Sequence, residues 1–215
     1  TARSRGLGDV YKRQGLMDSP LVSNENLTLI GSAEHRSVGR QAVRESVVVL
    51  KDDNVLPISK DLQTLVVAGK GADNLGMQCG GWSIDWQGGQ GDITIGTTIL
   101  DGIKKAVSDS TEIIYSEDGS DVVPNSDNIA VVVIGEDPYT EWFGDKENLD
   151  LNDDDINLIN SLKDKGYKVA VLLISGRPMN VADHIGQWDA FAAIWLPGTE
   201  GDGCLLYTSD AADDP

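Results

Sequence analysis

Cysteine is scarce in this sequence. Cys79 and Cys204 are too few for a disulfide framework or a cysteine-built zinc site. Long apolar runs are missing as well. None approaches the ~20 residues of a membrane-spanning helix. The first residues, TARSRGLGDVYKRQ, lack the apolar core of a secretory signal. Positive charge is in short supply: 17 Lys and Arg stand against 35 Asp and Glu, a formal net charge of −18. Such a surface argues against nucleic acid and anionic membranes as partners, and it fits a neutral substrate. What the chain does have is 40% hydrophobic residues over 215 positions, enough for one or two domains with a sizeable core.

The two ends look foreign to the rest. DVYKRQ (Asp9 to Gln14) and CLLYTS (Cys204 to Ser209) can be encoded by the opposite strands of one inverted DNA repeat. Both ends resemble translated adapters of a transposase-based sequencing library. Residues 1–14 and 204–215 are therefore expected to be non-native tails, to be set aside in reasoning about the fold. The tails carry +3 and −3, so the acidity belongs to the part between them.

Within that part, helices and strands alternate. Ser32 can cap a helix from about Ala33 to Leu50, with Glu34 in its first turn and a stripe of Val38, Ala42, Val43, Val47 and Leu50. Leu65–Ala68, Ile129–Ile134, Val169–Ile174 and Phe191–Leu196 are unbroken apolar runs, the mark of strands buried on both faces. Ile113–Tyr115 is a weaker strand. Ile99, Leu100, Ile103 and Val107 mark a second helix. A third starts at Asn152 with Asp153, Asp154 and Asp155 at its positive end, turns Ile156, Ile159 and Leu162 inward, and stops at Gly166. The pattern predicts an α/β fold: a three-layer α/β/α sandwich around a mainly parallel sheet. Function in such sheets gathers at the carboxyl ends of strands. Three loops should open there together: Gly69–Gln90, Gly135–Asp145 and Ser175–Met179.

These loops hold the candidates for chemistry. Glu136 follows the strongest strand after one glycine. It is either a solvated turn residue or a general acid, which would need apolar neighbours to keep its proton. Glu141 competes for the same role. Trp82, preceded by two glycines, is either a core residue or a flat wall for the face of a sugar ring. Trp86 reads more as core. Gly69 and Gly71 begin a dinucleotide fingerprint, but Asn74 stands where its third glycine belongs, so no nucleotide cofactor is expected. The Asp150–Asp155 cluster lacks the glycine and distal glutamate of a calcium loop, so no metal is expected. Gly176-Arg177-Pro178 reads as a turn with Arg177 in an ion pair.

Several of these segments are similar to one family. EHRSVGRQAVRESVVVLKDDNVLPIS (Glu34 to Ser59) resembles the entry to the second domain of glycoside hydrolase family 3. VAGKGADNLGMQCGGWSIDWQG (Val67 to Gly88) resembles the tryptophan loop of its exo-β-glucanase and β-glucosidase branch. VVVIGEDPYTEWFGD (Val131 to Asp145) resembles the loop that bears the branch's acid/base. VLLISGRPMNV (Val171 to Val181) and AAIWLPGTEGDG (Ala192 to Gly203) match further segments.

The resemblance implies a retaining β-glycosidase acting on terminal β-D-glucosyl residues of a β-glucan or β-glucoside. It implies Glu136 as catalytic acid/base and Trp82 as a substrate-binding residue. The aspartate nucleophile would lie on an N-terminal β/α barrel of the same polypeptide. Residues 15–30 are then a lead-in from that barrel. Residues 31–203 are the second domain, its sheet truncated at the C-terminal end, and the chain alone should be inactive. The family suggests a periplasmic or secreted location. The alternatives are a non-catalytic carbohydrate-binding α/β module, in which Trp82 acts without a nucleophile, and an unrelated nucleotide-binding protein.

Overall fold

The computed structural model describes residues 6–21 and 24–204. Most of the two expected tails, residues 1–5 and 205–215, lies outside them. The chain divides into two compact units between Val38 and Gly39. The first holds helix α1 (Gly6–Arg13), a 3-10 turn at Asn24–Leu29 and the first residues of α2 (Ala33–Ser46).

The second unit is a six-stranded sheet with helices. Its strands are β1 (Val48–Asp52), β2 (Thr64–Ala68), β3 (Glu112–Ser116), β4 (Ile129–Gly135), β5 (Lys168–Ile174) and β6 (Ala190–Trp195). They lie in the order β1-β6-β5-β4-β2-β3. All neighbouring pairs are parallel except β1 against β6. The expected α/β fold is therefore the observed one, with one difference. The helix predicted to reach Leu50 ends at Ser46, whose Oγ donates to the Val43 carbonyl. Val48, Val49 and Leu50 become the antiparallel edge strand instead. Branched side chains favour an extended backbone over another helical turn, and β6 supplies the ladder.

Side chains alternate between the faces of the sheet, and each face has its own core. On one, Val67, Val131, Val133, Leu172, Ile174 and Ile194 pack against Val43 of α2, Met77 of α3 (Leu75–Cys79) and Ile99, Leu100 and Ile103 of α4 (Ile99–Ala106). On the other, Val66, Val132, Ile134, Val171, Leu173 and Phe191 meet Leu158, Ile159 and Leu162 of α5 (Asp153–Asp164). Burial on both faces explains why these strands read as unbroken apolar runs.

The helix ends follow the residues at them. Thr98 caps α4 and Asn152 caps α5, their side chains accepting from Asp101 N and Asp154 N. Asn74, the residue that spoils the dinucleotide pattern, caps α3 by accepting from Met77 N and also holds Gly91 N.

Parallel strands bring their carboxyl ends to one edge. The chain leaves β2 toward β3 on one side and β4 toward β5 on the other, so a crevice is expected between β2 and β4. The loops after β2, β4 and β5 all emerge at that edge.

Candidate active site

Glu136 directly follows β4, and its backbone N–H donates to Ile174 O of β5. The strands pass close together at this point. A Cβ on Gly135 would come within 2.1 Å of the Ile174 carbonyl oxygen, so no other residue fits there. The Glu136 side chain is 5% exposed. Its neighbours are not the apolar ones expected of an isolated acid. Arg177, in the loop after β5, forks onto the carboxylate: Nη2 donates to Oε1 at 2.6 Å and Nε to Oε2 at 3.2 Å. Lys146 Nζ stands 3.4 Å from Oε1. The guanidinium also lies 4.3 Å from the centre of the Tyr139 ring and donates to Gly144 O. Burial raises the Tyr139 hydroxyl above its ordinary value, and the Glu136 charge adds to this. The ion pair expected of Arg177 thus exists, and its partner is the candidate acid.

Trp82 is 68% exposed, so it is not a core residue. It sits in a tight turn closed by Trp82 N donating to Trp86 O. That turn is bound to the loop after β4: Thr140 Oγ1 donates to Trp86 O and Thr140 N to Gln87 Oε1. Gly81 makes the approach possible, since a Cβ there would lie 2.2 Å from Tyr139 O. Trp82 and Glu136 line one cavity of about 230 Å³, together with Met77, Tyr139, Ser175 and Leu196.

Glu136 also faces a second cavity, of about 420 Å³ and different in character. Lys70, Lys146, Asp150, Asp155 and Phe143 are among its lining residues. Asp155 is buried, and its Oδ2 has no hydrogen-bond partner among the described residues. Burial pushes its carboxyl up to about 6, against the pull of the Lys70 charge and of the Gly135 N–H that it accepts. Its place in the first turn of α5 was legible. Its contact with the residue before Glu136 was not.

Glu141 lies apart from this charged pair. It is exposed and held at φ +49, a left-handed conformation that costs a non-glycine residue of order 1 kcal/mol or more. It opens a single 3-10 turn, Glu141–Gly144, that presents Trp142 and Phe143. Both rings pack edge-on against Trp86, at 5.6 and 5.8 Å between centres, and Trp86 in turn meets Trp82 at 6.4 Å. Trp86 is thus the shielded middle of an exposed aromatic cluster rather than core. Sequence reading missed this cluster, because its rings come from two loops more than fifty positions apart.

Residues 47–206 match the glycosyl hydrolase family 3 C-terminal domain. A lysosomal β-glucosidase of Dictyostelium discoideum is 30% identical over 87% of this chain and 26% of its own length. A periplasmic β-glucosidase of Salmonella typhimurium is 27% identical over 92% and 29%. Among solved structures, an exo-1,3/1,4-β-glucanase from a Pseudoalteromonas species superposes with a TM-score of 0.76 at 41% identity, over 83% of this chain and 23% of that one. A β-glucosidase from Listeria innocua has the same fold, with a TM-score of 0.76 at 23% identity over 94% and 29%. The chain therefore spans less than a third of the length of each of these relatives. Through the match over residues 47–206, the chain belongs to glycoside hydrolase family 3 and carries that family's C-terminal domain.

Proposed function

We propose that this chain supplies the acid/base and one wall of the substrate cleft of a retaining β-glycosidase, a β-glucosidase or exo-1,3/1,4-β-glucanase that removes terminal β-D-glucosyl residues. Glu136 is the acid/base and Trp82 the wall against which a sugar face lies. The observation that carries this reading is that both residues line one cavity at the carboxyl edge of the sheet.

Retention needs two carboxyl groups roughly 5 Å apart. Glu136 provides one, and an aspartate on an N-terminal β/α barrel of the same polypeptide provides the other. In the first step Glu136 gives its proton to the glycosidic oxygen while the nucleophile attacks the anomeric carbon. In the second it takes a proton from water, which releases the glycosyl group. The charged surroundings suit a group that must change charge twice. Arg177 and Lys146 balance the carboxylate of the second step. In the first step the charge that Glu136 takes on replaces the one the nucleophile loses on forming its bond, so the two carboxyl groups carry one negative charge throughout.

The test is a chimera with residues 33–203 in place of the corresponding domain of the Pseudoalteromonas enzyme. The chimera should hydrolyse β-glucosides with retention, read by NMR of the first-formed anomer. Glu136→Gln should lower kcat on disaccharides by roughly 10²- to 10⁴-fold. It should slow activated aryl glucosides far less, and azide should restore turnover as glucosyl azide. Full activity of Glu136→Gln, with loss in Glu141→Gln, would overturn the assignment. The chain by itself should turn over no aryl β-glucoside above a Glu136→Ala control.

A further inference from the structure

The aromatic cluster does more than extend Trp82. Trp142 and Phe143 are each 63% exposed, whereas Trp86 between them and Trp82 is 39% exposed. Phe143 lines the larger cavity and Trp82 the smaller, and Glu136 lines both. The rings therefore form a ridge with Trp82 at the smaller cavity and Phe143 at the larger, the two cavities that Glu136 also lines. The ridge is fixed before any ligand arrives. Thr140 ties its two loops together, Arg177 holds Gly144, and Asp145 N donates to Trp142 O. Flat rings held this way lose little freedom on binding. The carboxylates beside them, Asp85 and Glu141, are exposed and can accept from hydroxyl groups.

An apolar face rimmed by hydrogen-bonding groups is the chemistry of a pyranose ring. We infer that Trp142 and Phe143 form a second sugar platform, which takes the glucosyl unit beyond the one on Trp82 and makes the site selective for longer β-linked oligosaccharides. The inference rests on the proposed role of the site. The net charge of −18 speaks against an anionic lipid or nucleic acid as the occupant.

The test is binding to the chain as it stands. Intrinsic tryptophan fluorescence and NMR titration would be run with glucose and with β-1,3- and β-1,4-linked di- and tetrasaccharides. Affinity should rise with length in the wild type. Trp142→Ala/Phe143→Ala should lose the gain from disaccharide to tetrasaccharide, roughly five- to tenfold, the scale of one sugar face lifted from one ring. Its affinity for the disaccharide should stay. Trp82→Ala should weaken all lengths alike. Unchanged melting temperatures would show that the exposed rings are not needed for folding. Equal tetrasaccharide affinity in the double variant would overturn the platform and leave the ridge as a seat for another domain. No tetrasaccharide binding by the wild type would also overturn it. Neither result bears on Glu136, which the leaving-group dependence of the chimera tests separately.

Discussion

Along β4 every side chain from Ala130 to Ile134 is buried, between one cluster led by Met77 and Ile99 and another led by Ile159 and Leu162. A few residues further along the same chain, Glu141 stands at φ +49 and Trp142 and Phe143 lie open. Trp82 and Ile84, in the facing loop, are also non-glycine residues at positive φ. The strands hold apolar burial, and only Trp195, the last residue of β6, is a non-glycine strand residue at positive φ among the described residues. The sheet's carboxyl edge holds strained backbone, exposed rings and a buried ion pair. Strain and exposed apolar surface both raise free energy, so the edge can keep them only because the sheet is stable enough to carry them. That is the distribution expected when one part of a domain keeps the fold and another meets a ligand.

The largest expected effect tests the stable half. Phe191→Ala removes a buried ring that packs on Trp188 and on the α5 face of the sheet. It should lower stability by about 3–5 kcal/mol in a denaturant titration. Trp142→Ala removes a larger ring from the edge and should change stability by less than about 0.5 kcal/mol. Equal losses would erase the contrast between the two regions.

The second test falls on the seam between them. Arg177→Ala leaves Glu136 buried with Lys146 as its remaining charged neighbour, at 3.4 Å. Stability should fall by roughly 3 kcal/mol at neutral pH. Replacing Glu136 and Arg177 by methionine together should cost less than the single change, because no buried charge is then left unpaired and Lys146 is half-exposed to water. If the separate losses of Glu136→Met and Arg177→Met add in the double variant, the pair is not coupled.

How much of this could be read from the sequence follows the same division. Four of the six strands were legible because burial on both faces makes each an apolar run of four to six residues, whereas β3, only partly buried, read as a weaker strand. Helix α5 was legible from Asn152, three aspartates and Gly166. The end of α2 was not, because the stripe through Val43, Val47 and Leu50 fits a helix as well as it fits a helix followed by a strand. Glu136 and Trp82 could be singled out one at a time. Their meeting around one cavity depends on strand order, which local pattern does not contain. Arg177 could be read as half of an ion pair, but its partner lies 41 residues away. Asp155 could be read as a dipole partner of its helix. Nothing local marks it as a carboxyl buried against the strand end.

That carboxyl supplies the third test. Its folded-state value of about 6 lies above the ordinary 3.8, because burial disfavours the charge. The folded chain therefore binds the proton more tightly than the unfolded one. Stability from this group is full below about pH 4, declines as pH rises through about 6, and stays lower at neutral pH. Asp155→Asn should remove that decline. Melting curves at pH 4 and pH 7 should differ less in the variant than in the wild type, by about 1–3 kcal/mol. An unchanged pH dependence would mean that Asp155 is hydrated through the larger cavity, which would place water next to the Gly135–Glu136 strand end.

The smallest effect probes strain at the edge directly. Glu141→Gly relieves the left-handed penalty, but it also frees the unfolded chain. The balance should leave stability unchanged or raise it by up to about 1 kcal/mol. Glu141→Ala keeps a Cβ and should gain nothing. If glycine stabilises the chain and also weakens tetrasaccharide binding, the strained turn is what holds Trp142 and Phe143 in place. If glycine stabilises and binding is unchanged, the hydrogen bonds of Thr140, Asp145 and Arg177 suffice to hold the ridge. The strain at Glu141 would then be incidental to the platform, and the exposed rings and the buried ion pair would carry the difference between sheet and edge.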